Sequence, residues 1–184
     1  MMDLAALADQ LRRVTVELTS DGLGTGAGVV WAPELIVTNA HVLRGPRVLV
    51  RAADGRRVEG RVLAGDRAVD LALVRVPGLD VPPATCQEDE SLAVGSLLVA
   101  LGHPLGVPGV VTRGIVHAIG ALTAGGRVWI QGDLKLAPGN SGGPLADAHG
   151  RVVGVNAMIV DGLALAIPVR EVRQFARSAG VDEP

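Results

Sequence analysis

The sequence predicts an all-β protein made of two six-stranded antiparallel barrels, with a short helix at each end. Three observations carry this. Short Val, Leu, Ile and Ala runs recur along the chain, each closed off by Gly, Pro or Asp. One Pro-rich, acidic stretch divides them into two sets of six. The 184 residues are 48% hydrophobic but only 2% aromatic, enough for a sizeable core that must be aliphatic.

The elements follow in order. In MMDLAALADQLRRV, Leu4, Leu7, Leu11 and Val14 recur at helical spacing, and Asp3 stands where a cap belongs. Strand-like runs then occupy 14–18, 27–32, 35–38, 47–52, 57–64 and 70–76, forming an N-terminal barrel over about 14–76. PGLDVPPATCQEDES supplies the linker, about 77–91. Runs at 97–102, 110–119, 127–131, 144–146, 151–158 and 163–167 form a C-terminal barrel over about 92–168. In VREVRQFARSAG, Val169, Val172, Phe175 and Ala176 mark a helix over about 169–179, before Gly180. The whole, 1–184, reads as a single domain without a strong internal repeat.

Composition narrows the function classes. A net charge of −2 gives no electrostatic case for nucleic acid or an anionic membrane surface as partner. No run approaches the roughly 20 apolar residues of a spanning helix. Asp3, Asp9 and Gln10 interrupt the N-terminal apolar stretch, so it does not read as a signal peptide, and a complete chain is expected to be cytoplasmic. Cys86 stands alone, which excludes an intramolecular disulfide and suits a passive thiol. His41, His103, His117, His149 and Cys86 show no metal-ligand spacing, so neither metal nor cofactor is expected. The glycine-rich GLGTGAGVV (22–30) departs from G-x-G-x-x-G and runs into a β-like stretch, which favours a hairpin over a phosphate loop.

APGNSGGPLAD (137–147) is the most informative segment. Gly139, Gly142 and Gly143 surround one hydroxyl, Ser141, between Pro138 and Pro144. Such a turn can hold a serine beside backbone N–H groups aimed at a reacting carbonyl. Acyl transfer also needs a base and a carboxylate to orient it. His41, in LIVTNAHVL, ends an apolar strand at a corner. His103 sits beside a Pro-Gly turn, His117 lies within a strand and His149 in a polar hairpin, all structural or solvated positions. Asp70, starting the apolar strand of DRAVDLALVRV, is the candidate carboxylate, because desolvation there calls for a partner. Asp66 lies in a polar turn.

With TNAHV (38–42), VDLALVRV (69–76) and PGNSGGPL (138–145) in the order His, Asp, Ser, the chain resembles trypsin-like serine proteases of the chymotrypsin fold. It resembles most the protease domain of the HtrA/Deg family. GTGAGVV, VALGHPLG, VTRGIV and LALAIPV extend the resemblance over roughly residues 14–175. The resemblance implies an active site between two barrels, with His41 as general base, Asp70 as its orienter and Ser141 as nucleophile. It implies an oxyanion hole from the N–H groups of Gly139 and Ser141, with Asn140 shaping the turn. It implies a specificity pocket walled by Lys135, Leu136, Ala137, Asn156, Ala157 and Met158, whose apolar lining would favour an aliphatic side chain unless Lys135 reaches in.

The departures carry expectations too. Digestive-type relatives have an aspartate at the position of Asn140, which pairs with a new N-terminus after zymogen cleavage. An uncharged Asn140 predicts a site that is constitutively formed or switched by loop movement. HtrA/Deg proteins usually carry a C-terminal PDZ domain, and this sequence stops shortly after its last helix. Regulation through a PDZ domain in the same chain is therefore not expected. An N-terminal segment less aromatic than the family's trimerisation segment leaves open a homo-oligomer or an activating partner. The function so implied is an endopeptidase acting on peptides or unfolded protein segments. The alternative is a catalytically silent, peptide-binding or chaperone-like module on the same fold.

Overall fold

The computed structural model describes residues 3–20, 24–88 and 91–181. Residues 22 and 23 of the glycine-rich run and 89 and 90 of the linker lie outside the described residues. The elements are α1 (Leu4–Arg13), β1 (Thr15–Ser20), β2 (Gly24–Ala32), β3 (Leu35–Thr38), β4 (Arg47–Arg51), β5 (Arg57–Asp66) and β6 (Leu71–Arg75). They continue as β7 (Leu97–Gly102), β8 (Val110–Ala121), β9 (Val128–Asp133), β10 (Pro144–Ala146), β11 (Val152–Val160), β12 (Leu163–Pro168) and α2 (Val169–Ser178).

The strands close into two barrels, ordered β1-β2-β3-β6-β5-β4 and β7-β8-β9-β12-β11-β10, with every pairing antiparallel. The two orders are the same connectivity. The topology thus repeats although the sequence shows no strong repeat. A barrel strand needs only apolar positions at its inward face, so two barrels can share a path while sharing few residues. Register shifts at Val30/Ala32, Val62/Ala64, Val116/Ala118 and Asn156/Met158 are bulges that bend the longer strands around the barrels.

Burial explains the sequence pattern. In β3 and β6, side chains of both faces are buried. Ile36, Ala72 and Val74 fill the first barrel. Leu35, Val37, Leu71 and Leu73 face outward and join Val155, Leu165 and Ile167 of the second barrel and Val172 of α2. These strands therefore read as unbroken apolar runs, whereas β4, with one face in water, alternates. Leu98, Val116, Ile130, Leu145 and Val153 fill the second barrel.

The helices are set by local chemistry and then by docking. The Asp3 carboxylate accepts from Ala5 N–H at 2.9 Å and Ala6 N–H at 3.2 Å, satisfying two N–H groups that have no partner inside the helix. Leu7 and Leu11 pack on Val99, Leu101 and Ala146. No helix among the described residues is long and apolar enough to cross a membrane.

Because Leu73 is fully buried where the barrels meet, Leu73→Ala is expected to lower unfolding free energy by about 2–5 kcal/mol. Leu49→Ala, at a side chain 42% exposed, should change it by about 0.5 kcal/mol or less. Urea denaturation of both variants checks this.

Candidate active site

Strand pairing builds the first half of the site. β3 and β6 are neighbours, with Thr38 opposite Ala72. A 3₁₀ turn over Ala40–Val42 follows β3, while Asp70 directly precedes β6. The ladder thus delivers His41 and Asp70, 29 positions apart, to one corner. His41 Nδ1 lies 2.8 Å from Asp70 Oδ2 and 3.0 Å from Oδ1, and His41 N–H donates to Oδ1 at 3.0 Å. A carboxylate facing Nδ1 assigns the proton to that nitrogen and leaves Nε2 as the acceptor. Asp70 is largely shielded, its side chain 16% exposed, while that of His41 is 47% exposed, so the imidazole is open to incoming molecules.

The second half comes from the other barrel. Ser141 lies in the turn that leads into β10, and its carbonyl accepts from Ala27 N–H of β2 at 2.8 Å. Gly142 has φ +85°, and a β-carbon there would collide with the Ala27 carbonyl and the Thr38 hydroxyl. Only glycine lets the turn seat this closely on the first barrel. The Ser141 hydroxyl donates to Ala157 O at 3.1 Å, and no hydrogen bond joins it to His41. Asp70 and His41 are engaged with each other, while the serine is directed elsewhere.

The turn before Ser141 is closed by Asn140 N–H to Ala137 O at 3.0 Å, with Gly139 at φ +106°. That φ at the third residue, after Pro138 at the second, is the pattern of a type II turn. The Pro138 carbonyl accepts from Leu105 N–H at 3.3 Å, and the Gly139 carbonyl accepts from His103 N–H at 3.0 Å. A trans peptide points its N–H opposite its C=O, so Gly139 N–H is turned away from Leu105. Neither Gly139 N–H nor Ser141 N–H finds an acceptor among the described residues. Unpaired donors of this kind can stabilise an anion. Asn140 is buried, and neither atom of its side-chain amide has a partner among the described residues.

The residues expected to wall a pocket separate by environment. Lys135 is exposed, Leu136 and Ala137 are half-buried, Ala157 is buried beside Ser141, and Met158 is 41% exposed. Asn156, expected on a pocket wall, differs from them in environment. Its side chain is fully buried and its amide donates to Pro144 O at 2.8 Å, tying β11 to β10, because β11 turns this position inward next to its bulge.

Two site residues escape the sequence reading. Asn39, fully buried, donates to Asp70 O at 3.0 Å. Its place in TNAHV, beside His41, is the one available signal. His103, read as a turn residue, is buried against Gly139, and its Nδ1 accepts from Gly109 N–H at 3.2 Å. Its Nε2 is buried without a partner among the described residues. No sequence signal distinguishes it from other loop histidines. Among the described residues no group of His, Cys, Asp or Glu could hold a metal ion.

Burial holds His103 below its ordinary pKa of 6.5. Arg51 acts in the same direction, while Glu17 and the nearby Val16 backbone oppose it. The unfolded chain then binds more protons than the folded one as pH falls below about 6.5, so the stability His103 contributes above that value is lost on acidification. His103→Gln is expected to flatten the acid side of a Tm-against-pH curve relative to wild type, as read by calorimetry.

The trypsin-like peptidase domain family matches residues 26–155. HhoB of Synechocystis, named a serine protease, is 37% identical over 166 residues, 84% of this chain and 40% of its own length. HhoA of the same organism, named likewise, is 36% identical over 82% of this chain and 41% of its own. A DegP-like periplasmic serine endoprotease, so named, of Pseudomonas savastanoi is 36% identical over 78% of this chain and 32% of its own. The chain spans about a third to two-fifths of the length of these relatives.

Proposed function

The chain belongs to the trypsin-like peptidase family, and on that premise we propose that it is an HtrA-type serine endopeptidase acting on peptides or unfolded protein segments. The observation that carries the proposal is the Asp70–His41 pair standing across the barrel interface from the Ser141 turn. His41 Nε2 takes the Ser141 proton, and Oγ attacks the scissile carbonyl. Asp70 holds the imidazole in the required tautomer and stabilises the imidazolium that forms. The N–H groups of Gly139 and Ser141 receive the oxyanion. His41 then returns the proton to the leaving amine, and water hydrolyses the acyl-enzyme by the same route.

The bond from Ser141 Oγ to Ala157 O suggests how a substrate completes this arrangement. β10 pairs with β11 only as far as Val155, so among the described residues one edge of β11 has no strand partner from Ala157 onward. An extended substrate can add to that edge by main-chain hydrogen bonds. Its N–H groups would compete for the Ala157 carbonyl and free the Ser141 hydroxyl to rotate toward His41. Met158 and Ile159, 41% and 49% exposed, offer apolar surface alongside. An extended edge admits unfolded segments more readily than folded domains.

Ser141→Ala and His41→Ala are each expected to lower turnover roughly 10⁴- to 10⁶-fold while leaving the circular dichroism unchanged. Intact-mass labelling with a fluorophosphonate should give one adduct on wild type and none on Ser141→Ala. Absence of an adduct on wild type would favour the silent peptide-binding reading. Exposed Lys135 is expected to play no part in side-chain preference. Cleavage-site profiles of wild type and Lys135→Ala should coincide, and a loss of acidic preference in the variant would place its ammonium in the pocket.

A further inference from the structure

Asp70 has φ +54°, in the left-handed region that a residue with a β-carbon enters at a cost of order 1 kcal/mol or more. A conformation of that kind persists only where the surroundings impose it. Here the peptide groups on both sides of Asp70 are held from outside. The preceding carbonyl, Val69 O, accepts from Arg127 Nη1 at 2.7 Å. The carbonyl of Asp70 itself accepts from Asn39 Nδ2 at 3.0 Å. The two donors come from different barrels: Asn39 follows β3, and Arg127 stands just before β9.

Arg127 is itself fixed. Its Nη2 donates to Glu171 Oε2 of α2 at 2.6 Å, and its guanidinium lies over the Trp129 ring, 4.5 Å from the centroid. Arg127 and Glu171 side chains are both 22% exposed, so the pair is partly shielded from water. The planar guanidinium can address a carbonyl and a carboxylate at once, which an ammonium cannot do with the same geometry.

We propose that Asn39 and Arg127 form a two-point clamp on the Asp70 backbone and so act as positioning residues for the Asp70–His41 pair. The physical reason is simple. Any change in φ or ψ at Asp70 must rotate one of the two flanking peptide planes. With both carbonyls pinned, neither plane can turn without breaking a hydrogen bond. Released, Asp70 would relax toward negative φ and swing its carboxylate away from both His41 N–H and Nδ1. The inference rests on the triad reading of His41, Asp70 and Ser141. It adds that the alignment of a carboxylate from the first barrel depends on a side chain of the second.

The test uses Arg127→Met, which keeps an unbranched apolar stem and removes the donors, Arg127→Lys, which retains a donor for one acceptor, and Asn39→Leu, which keeps volume. Glu171→Gln is the control, since it removes only the charge that faces Arg127 from α2. Two readouts are taken on each: kcat and KM on an unfolded protein substrate, and the low-field proton resonance of the His41 Nδ1–Asp70 hydrogen bond. Arg127→Met and Asn39→Leu are expected to lower kcat by ~10- to 100-fold at nearly constant KM, and to broaden or remove the resonance. Arg127→Lys should fall between Arg127→Met and wild type, and Glu171→Gln should keep the resonance. A native resonance in folded Arg127→Met and Asn39→Leu would overturn the clamp. So would equal effects of Glu171→Gln and Arg127→Met, which would mark Arg127 as an anchor for α2 alone. If either of these two fails to fold, Arg127→Lys decides by its resonance. Should wild type show the resonance without turnover, the protease reading fails while the clamp is still judged on the resonance.

Discussion

One main-chain hydrogen bond carries the site: Ala27 N–H of the first barrel to Ser141 O of the second, at 2.8 Å. It is the point at which the turn bearing the serine is measured against the strands that position the histidine. Thr38 reinforces it, donating its hydroxyl to Ala27 O at 2.7 Å, and Gly142 permits it by having no β-carbon to intervene. The apolar layer of Val29, Val37, Leu73, Val155 and Leu165 keeps the barrels pressed together behind it. Misplacing reacting groups by about 1 Å can cost on the order of 100-fold in rate, so the fit of this layer bears directly on chemistry.

Several buried polar groups without partners belong to residues of the candidate site or its supports. Asn39 Oδ1, His103 Nε2, Asn140 Oδ1 and Nδ2, Arg127 Nε and Asn156 Oδ1 are all buried and have no hydrogen-bond partner among the described residues. Each such group costs about 1–3 kcal/mol in a dry interior. The clusters inside each barrel are made of Ala, Val, Leu and Ile, whose side chains carry no polar atoms to satisfy. Trp31 Nε1 and Thr112 Oγ1 are unpartnered as well, so the site holds part of this inconsistency and not all of it. The left-handed Asp70 belongs to the same pattern.

The repeated strand order gives this arrangement its geometry. Each barrel presents two sheet faces, one to its own interior and one to its neighbour, and the site forms along the seam. His41 and Asp70 leave from adjacent strands of one barrel, while Ser141 enters a strand of the other. On the proposed reading, substrate would approach along β11 without opening either core.

The sequence by itself determined what local pattern can determine. Apolar runs punctuated by Gly, Pro and Asp fix β3, β6 and β12 because a strand's burial is written into its own residues. Asp3 caps α1 through N–H groups two and three positions away, again a local matter. TNAHV, VDLALVRV and PGNSGGPL mark His41, Asp70 and Ser141 because each motif is contiguous. Tertiary structure alone decided the rest. Arg127 meets Val69 across 58 positions, and Asn39 meets the Asp70 carbonyl across 31. His103 is buried because a loop folds against Gly139, and the Ser141 hydroxyl turns to Ala157 because β11 passes beside it. None of these contacts lies within one element. Each exists only after the barrels have closed and docked, which fixes side chains from distant segments at hydrogen-bonding distance.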